Sequence, residues 1–257
     1  MSSFAAFTMV RNEPLFLPLW LNYYTKVFGQ ENCYVIDNET TDESIVQARI
    51  DFPNVHFEER KTPNSTYGDW LWALSTVTDF QHQLLKSHQI VIYNDVDEFL
   101  LVRPGGKYKD LNDACEQLSA DPNRPFIMAD GHHIIHQPSE PGIVRVPGES
   151  ALKDRQLCMK LNNYCKTLVC KVPMHWSAGF HKCMWNGRGS NRDHRDLDLV
   201  LMHLWLLDND EFMRRHKGKE RRVPNSEFLS AYDYGMTKAQ NGPQVIIPEE
   251  WRQALVW

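Results

Sequence analysis

The stretch "VIYNDVDEFLLV", residues 91–102, decides how this chain is read. Ile90, Val91, Ile92 and Tyr93 form an apolar run that stops at three acids, Asp95, Asp97 and Glu98; apolar character resumes at Phe99. A short apolar run bounded by polar residues reads as a buried strand. In extended or turn geometry, residues two apart point the same way, so Asp95 and Asp97 present their carboxylates together. Paired hard oxygen donors at a strand end suit Mg2+ or Mn2+. A solvated acidic turn is the plainer alternative, but the apolar strand before it and polar strand ends elsewhere favour a site.

Working back toward the N-terminus, the same pattern recurs. Phe7-Thr8-Met9-Val10 is a short apolar strand that ends at Arg11-Asn12-Glu13, and Pro14 suits the first position of a helix. Phe16, Trp20, Tyr23 and Val27 recur at helical spacing, with Gly29 as the C-cap. Cys33-Tyr34-Val35-Ile36 is a second strand, ending at Asp37-Asn38. "TTDE", residues 40–43, has capping-box spacing and predicts a helix toward Phe52, and Val55-His56-Phe57 is a third strand. From Asp69, the spacing of Trp70, Ala73, Leu74, Val77, Phe80 and Leu84 predicts an amphipathic helix leading into the opening stretch. Strands alternating with helices imply an α/β fold with a mostly parallel central sheet. Ligands bind such sheets beyond the carboxyl ends of the strands. The three polar strand ends are therefore expected along one edge, as the site.

After residue 103 the pattern loosens. A helix over 110–119 and a strand over 126–128 are readable, followed by an irregular part, 130–195, with a strand over 167–172. A strand over 200–206, a helix from about Asp208 and a wrapping tail complete the expectation. The chain has 257 residues, 42% hydrophobic and 24% charged, which predicts a folded core. A net charge of -5 and a pI near 6.1 argue against a nucleic-acid partner. The N-terminus has neither a basic region nor a long apolar run, and no transmembrane segment is read, so a cytoplasmic protein is expected. The six cysteines include no CxxC pair; those between 158 and 183 are separated by 6, 4 and 12 residues, unlike zinc knuckles. They are expected to be reduced and packed.

Two other chemistries can be set against the D-x-D. An EF-hand loop needs an oxygen ligand and then Gly where this chain has Phe99 and Leu100, so that reading fails. A phosphohydrolase with an Asp nucleophile would place its D-x-D-x-T/V near the N-terminus; here Phe99 stands in that place, and the motif begins at residue 95. A non-catalytic glycan- or nucleotide-binding module is the third alternative.

Four blocks in order carry a family resemblance. "MVRNEPLFLPLWLNYYTKVFGQENCYVIDNETTDES", residues 9–44, resembles the opening of family-2-like and family-92-like glycosyltransferases of the GT-A fold. "YNDVDEFL" looks like their metal-binding D-x-D-E-F. "KTLVCKVPMHWSAGFHKC" and "LVLMHLWLLDNDEFMRRHKGK" are similar to later blocks, so the resemblance spans roughly residues 7–218. It implies one GT-A-like domain over 1–257, with a nucleotide-binding half (1–103), a metal and acceptor half (104–222) and a tail (223–257). It further implies that Thr8, Arg11, Asn12 and Glu13 line the nucleotide pocket and that Asp37 hydrogen-bonds the base. Asp95 would lie near ribose and metal, Asp97 would ligate Mn2+ or Mg2+ directly, and Glu98 would hold the loop. Lys166 fits the family's lysine toward the diphosphate. Where the family has His-Tyr, this chain has His203-Leu204.

The implied activity is transfer of a sugar, with inversion, from a nucleotide-sugar, a UDP-sugar above others, to a glycan or lipid-linked acceptor. His203, at the end of an apolar strand, is the first candidate for a further metal ligand, and His181 is the second. His132 and His136 have i, i+4 spacing but no accompanying Glu, which argues against a zincin. The cationic stretch that begins at Arg214 and ends at Arg222 could touch anionic lipid at the inner face of a membrane. The acceptor hydroxyl needs a carboxylate base; Asp130 is the first choice and Glu149 the second.

Overall fold

The computed structural model describes residues 3–62, 70–137, 139–161, 164–184, 194–216 and 244–257. The first elements alternate strictly: β1 (Phe4–Val10), α1 (Phe16–Phe28), β2 (Cys33–Asp37), α2 (Ser44–Asp51), β3 (His56–Glu59), α3 (Trp70–Leu84) and β4 (Ile90–Tyr93). Their strands are all parallel, in the order β3-β2-β1-β4. β1 and β4 are almost wholly buried, which is why they read as continuous apolar runs rather than as alternation.

Packing, more than propensity, fixes α1. Phe16, Leu17, Leu19, Trp20, Leu21, Tyr24 and Phe28 are buried, each contributing about 1.5–3 kcal/mol on leaving water. Gly29 closes the helix as expected: its φ is 86° and its N–H reaches the Thr25 carbonyl at 2.9 Å. Two helix starts differ from expectation. Regular α1 begins at Phe16, although the Leu17 N–H already reaches the Glu13 carbonyl at 3.2 Å. Pro14 thus lies in the preliminary turn, where a missing N–H costs nothing. The "TTDE" capping box does not form. The Thr40 N–H goes instead to Asp37 Oδ1 at 2.9 Å and Thr40 Oγ1 accepts the Asn12 N–H at 3.3 Å, while Asp42 accepts the Ser44 N–H (3.0 Å) and hydroxyl.

The second half is β5 (Glu98–Val102), α4 (Leu111–Ala120), β6 (Phe126–Ile135), β7 (Leu157–Lys160), β8 (Lys166–Cys170), β9 (His175–Trp176), β10 (Cys183–Met184), β11 (Arg195–Leu206), α5 (Asn209–His216), β12 (Gln244–Ile246) and α6 (Glu249–Ala254). Among the described residues the main sheet has ten strands, ordered β12-β7-β6-β8-β4-β1-β2-β3, with β11 on the other edge of β6 and β5 on β11. Its pairings here are antiparallel apart from β6 with β11.

This topology aims the acid turn. After β4 the chain leaves the parallel stack and pairs as β5 with β11. Val91 and Ile92 face Cys170 and Val169, so counting on along that antiparallel register brings Lys166 level with Asp95. His203 pairs with Glu98, and the Leu204 N–H bonds the Asp97 carbonyl at 2.8 Å.

The strand expected over 126–128 is ten residues long and buried throughout. Its polar second half hides it from an apolar count. His132 and His133 point to opposite faces, and no helix joins His132 to His136. All six cysteines are buried, as expected of packed thiols. Among the described residues no helix is long and apolar enough to cross a membrane.

Candidate functional site

The β1–α1 and β2–α2 loops meet at the carboxyl edge of the parallel strands. Asn12 stitches them: its Oδ1 accepts the N–H groups of Thr41 (2.7 Å) and Asp42 (3.3 Å), and its own N–H reaches Thr40 Oγ1 at 3.3 Å. Asp37 Oδ1 accepts the Thr40 N–H at 2.9 Å, and the Asn38 N–H bonds the Val10 carbonyl at 2.8 Å. Asn12 and Glu39 both have φ of 55°, a left-handed geometry uncommon outside glycine.

The acid turn stands beside these loops. Asp95 Oδ1 accepts the Tyr93 hydroxyl at 2.7 Å, and its Oδ2 lies 2.9 Å from Lys166 Nζ. The same ammonium is 2.5 Å from Glu98 Oε1, and the Glu98 N–H closes the turn on the Asp95 carbonyl at 2.9 Å. Burial works against ionising both acids. Lys166 outweighs it at Asp95, whose pKa is lowered, but not at Glu98, whose pKa is raised. Lys166 itself loses to burial but gains more from the two acids, and its pKa is raised.

Asp97 is 4% exposed and faces a different cation. Arg215, from α5, places Nη1 2.5 Å from Asp97 Oδ2. Its Nε and Nη2 reach Glu13 Oε1 at 3.1 and 2.9 Å, and its guanidinium lies 4.8 Å over the Phe16 ring. Burial opposes ionisation of Asp97, yet Arg215 and then His203 hold its pKa well below the usual carboxylate range. At Glu13 burial dominates over Arg215 and the pKa is raised.

An aromatic and imidazole layer flanks the acids. His203 Nε2 is 3.7 Å from Asp97 Oδ2, and its Nδ1 is 3.3 Å from His133 Nε2. The His133 ring packs on Tyr164 with centroids 4.0 Å apart, and Tyr164 meets His181 at 5.1 Å.

The expected residues therefore divide. Arg11, Asn12, Glu13, Asp37, Asp95, Asp97, Lys166 and His203 are gathered at one edge, with His181 behind Tyr164. Thr8 is fully buried within β1. Asp130 stands apart from the edge. Side-chain alternation puts it on the opposite face of β6 from His133. There its carboxylate is held by Arg195, by Lys160 at 2.8 Å and by Arg103 at 3.6 Å, and burial is outweighed so that its pKa is lowered. Glu149 is also elsewhere, paired with Lys153 near the C-terminus of the chain.

Arg215 was the residue hardest to foresee, since it lies within the stretch read as a membrane contact. Arg214 makes two 2.7 Å bonds to Glu211 and stays exposed, while Arg215 turns inward; Arg222 and its neighbours lie outside the described residues. Adjacent residues of α5 lie about 100° apart around the helix, and the two arginines point in different directions.

No group of three or more His, Cys, Asp or Glu side chains among the described residues is gathered to hold a metal ion. The donor set nonetheless fits a hard divalent cation. Glu13, Asp95, Asp97 and Glu98 face two permanent cations, Lys166 and Arg215, leaving an excess of two negative charges when all four are ionised. Glu13 Oε2 is buried without a hydrogen-bond partner among the described residues. Oxygen donors of this kind are what Mg2+ and Mn2+ prefer.

Comparison with known proteins agrees with the resemblance read from the sequence. The chain is 26% identical over 167 residues to a glycosyltransferase family 92 protein of Ricinus communis, a match covering 63% of this chain. The match spans only 27% of the relative's length. No protein-family model matches the chain. Among solved structures, Staphylococcus aureus TarS in complex with UDP is 14% identical with a TM-score of 0.32, covering 60% of this chain and 43% of that one. Glucosyl-3-phosphoglycerate synthase of Mycobacterium tuberculosis is also 14% identical, with a TM-score of 0.27 and coverage of 37% and 34%.

Proposed function

We propose that this chain is a GT-A-type glycosyltransferase related to family 92. It moves a sugar from a nucleotide-sugar, a UDP-sugar, to a hydroxyl of a glycan or lipid-linked acceptor. The observation that carries the reading is the meeting of Glu13 and Asp97, from the ends of two parallel strands, beside Asp95 and Lys166. Binding beyond the carboxyl ends of parallel strands is the rule for open α/β sheets. The similarity to a family 92 protein supports the same reading.

Asp97, with Asp95 beside it, is the residue that would hold Mn2+ or Mg2+, and such an ion, when bound, would neutralise charge on the departing diphosphate. Lys166 balances Asp95 and Glu98, so that the turn keeps its shape with acids on both sides. Asn12 and Asp37 hold the two loops between which the nucleoside lies. In an inverting transfer the acceptor oxygen bonds the anomeric carbon from the face opposite the phosphate. The carbon–oxygen bond to phosphate then breaks, its electron pair leaves on the diphosphate, and the acceptor proton passes to a base. Asp130 and Glu149 stand away from this edge, so neither is assigned that proton.

Calorimetry with UDP and GDP, with and without Mn2+, tests the reading on wild type and Asp97→Ala. UDP is expected to bind in preference to GDP, to need the metal, and to weaken by about tenfold or more in the variant, the worth of one charged contact. Nucleotide binding indifferent to both Mn2+ and Asp97 would sink it. Binding without slow donor hydrolysis would point to a module that only binds. Phosphate release abolished by Asp95→Asn would point to a phosphohydrolase.

A further inference from the structure

Arg215 has a role that neither the sequence blocks nor the proposed reaction assigns. Its guanidinium spends three donors on two acids from different strand ends, Glu13 Oε1 and Asp97 Oδ2. Its side chain is only 12% exposed. α5 delivers it, and that helix is anchored independently of the site. Asp208 Oδ1 accepts the Glu211 N–H at 2.9 Å, while its Oδ2 accepts the Ile143 N–H at 2.7 Å. The helix start is thus tied to the body of the protein while the long side chain near its end reaches the acids.

As a structural clamp the arrangement is incomplete. Arg215 takes one oxygen of Glu13 and leaves the other, Oε2, buried and without a partner among the described residues. Buried charges offset their desolvation only when every lone pair and proton is used. Two acids that share one guanidinium and retain an unpartnered oxygen would accept a second cation. A guanidinium fork matches phosphate as well as carboxylate.

We propose that Arg215 is a donor-binding residue held in reserve by Glu13 and Asp97: it gives up these carboxylates when a divalent cation binds at Asp97 and pairs instead with an anionic phosphate of the nucleotide. This rests on the nucleotide-sugar reading above. Arg215 then plays opposite parts toward the two ligands, competing with the metal and helping the nucleotide. A merely structural arginine does neither.

The test is calorimetry on the full chain, titrating MnCl2 alone and then UDP at saturating Mn2+, for wild type, Arg215→Gln and Arg215→Lys. In Arg215→Gln, Mn2+ alone is expected to bind more tightly, by about fivefold or more, because the tethered competitor is gone. UDP with Mn2+ is expected to bind about tenfold more weakly, the worth of one charge-assisted contact. Arg215→Lys keeps the charge without the fork. It should leave Mn2+ affinity near that of wild type and weaken UDP, and it serves as the test if the glutamine variant does not fold. Both affinities moving the same way in Arg215→Gln, or either staying unchanged, overturns the inference. A wild type that binds UDP with Mn2+ while Arg215→Gln behaves identically removes this inference alone. A wild type that binds neither ligand removes the nucleotide-sugar reading with it.

Discussion

Lys166 Nζ stands 2.9 Å from Asp95 Oδ2, across the seam where antiparallel β8 joins parallel β4. The same ammonium is the counter-ion of Glu98, which is 0% exposed. Replacing Lys166 by Met should leave a buried carboxylate without its cation, at a cost of about 3–5 kcal/mol. The double variant Lys166→Met/Glu98→Gln should recover much of that loss. Urea unfolding followed by circular dichroism measures both. A loss below about 1 kcal/mol, the scale of an exposed pair, would show that the three groups are not joined as described.

Asn12 contributes twice, through its backbone and through its side chain. Its φ of 55° costs a non-glycine residue about 1–2 kcal/mol, which the bonds to Thr41 and Asp42 offset. Asn12→Gly relieves the backbone and loses only the side-chain bonds. Asn12→Ala loses the bonds and keeps the strain. The alanine variant should therefore be less stable than the glycine variant by about 1 kcal/mol, and UDP binding should weaken in both because the two loops come apart. Equal melting temperatures for the two variants would contradict the left-handed geometry.

Low pH should weaken the fold through its histidines. Burial, with Lys166 adding to it, pushes His181 down to about 4 from an ordinary 6.5. Burial and then His203 lower His133 well below the same value. Below pH 6.5 the unfolded chain takes up protons that the folded chain refuses at these positions, so stability present above 6.5 is lost as the pH falls toward 4. Asp97, held well below its ordinary value, stays ionised through that window. The raised pKa of Glu13 and that of Glu98 act with the opposite sign, which is why the comparison must be with a variant. The melting temperature of wild type should fall more steeply between pH 6.5 and 4 than that of His181→Gln. Parallel curves would remove His181 from the account.

The parallel half was legible because β1 and β4 are almost wholly buried and read as continuous apolar runs, and because α1 carries an apolar face through Trp20 and Tyr24. The acid edge was legible for the same reason: polar residues had to end each strand. Legibility fails where burial depends on pairing rather than on apolar character. Asp130 follows an apolar run, as Asp95 does, and the sequence offers no way to tell a strand end from a strand middle. The cations Lys160, Arg195 and Arg103 make its burial possible, and they come from remote parts of the chain. Arg215 was obscured by its basic neighbours, since charge runs give composition and not direction. Distances across the sheet, such as that between His203 and His133, arise from the β6–β11 register and have no local signal.

The acid turn depends on one hydroxyl in α1. Tyr24 OH donates to Asn94 Oδ1 at 3.0 Å and accepts the Leu100 N–H at 3.1 Å, bridging the two ends of the acid turn from beneath. Tyr24 and Asn94 are both 0% exposed, so water cannot replace the hydroxyl without entering the core. Tyr24→Phe keeps the ring and its packing on Trp20, centroids 4.6 Å apart, and removes only the bridge. It should cost about 1–3 kcal/mol, the penalty for leaving buried polar groups unpaired. It should also weaken UDP binding, because Asp95 and Asp97 lie between the two anchored residues. A double-mutant cycle with Asn94→Ala separates this from general loosening: the two changes should couple by about 0.5–3 kcal/mol. Additive losses in that cycle would mean that the turn keeps its shape without Tyr24.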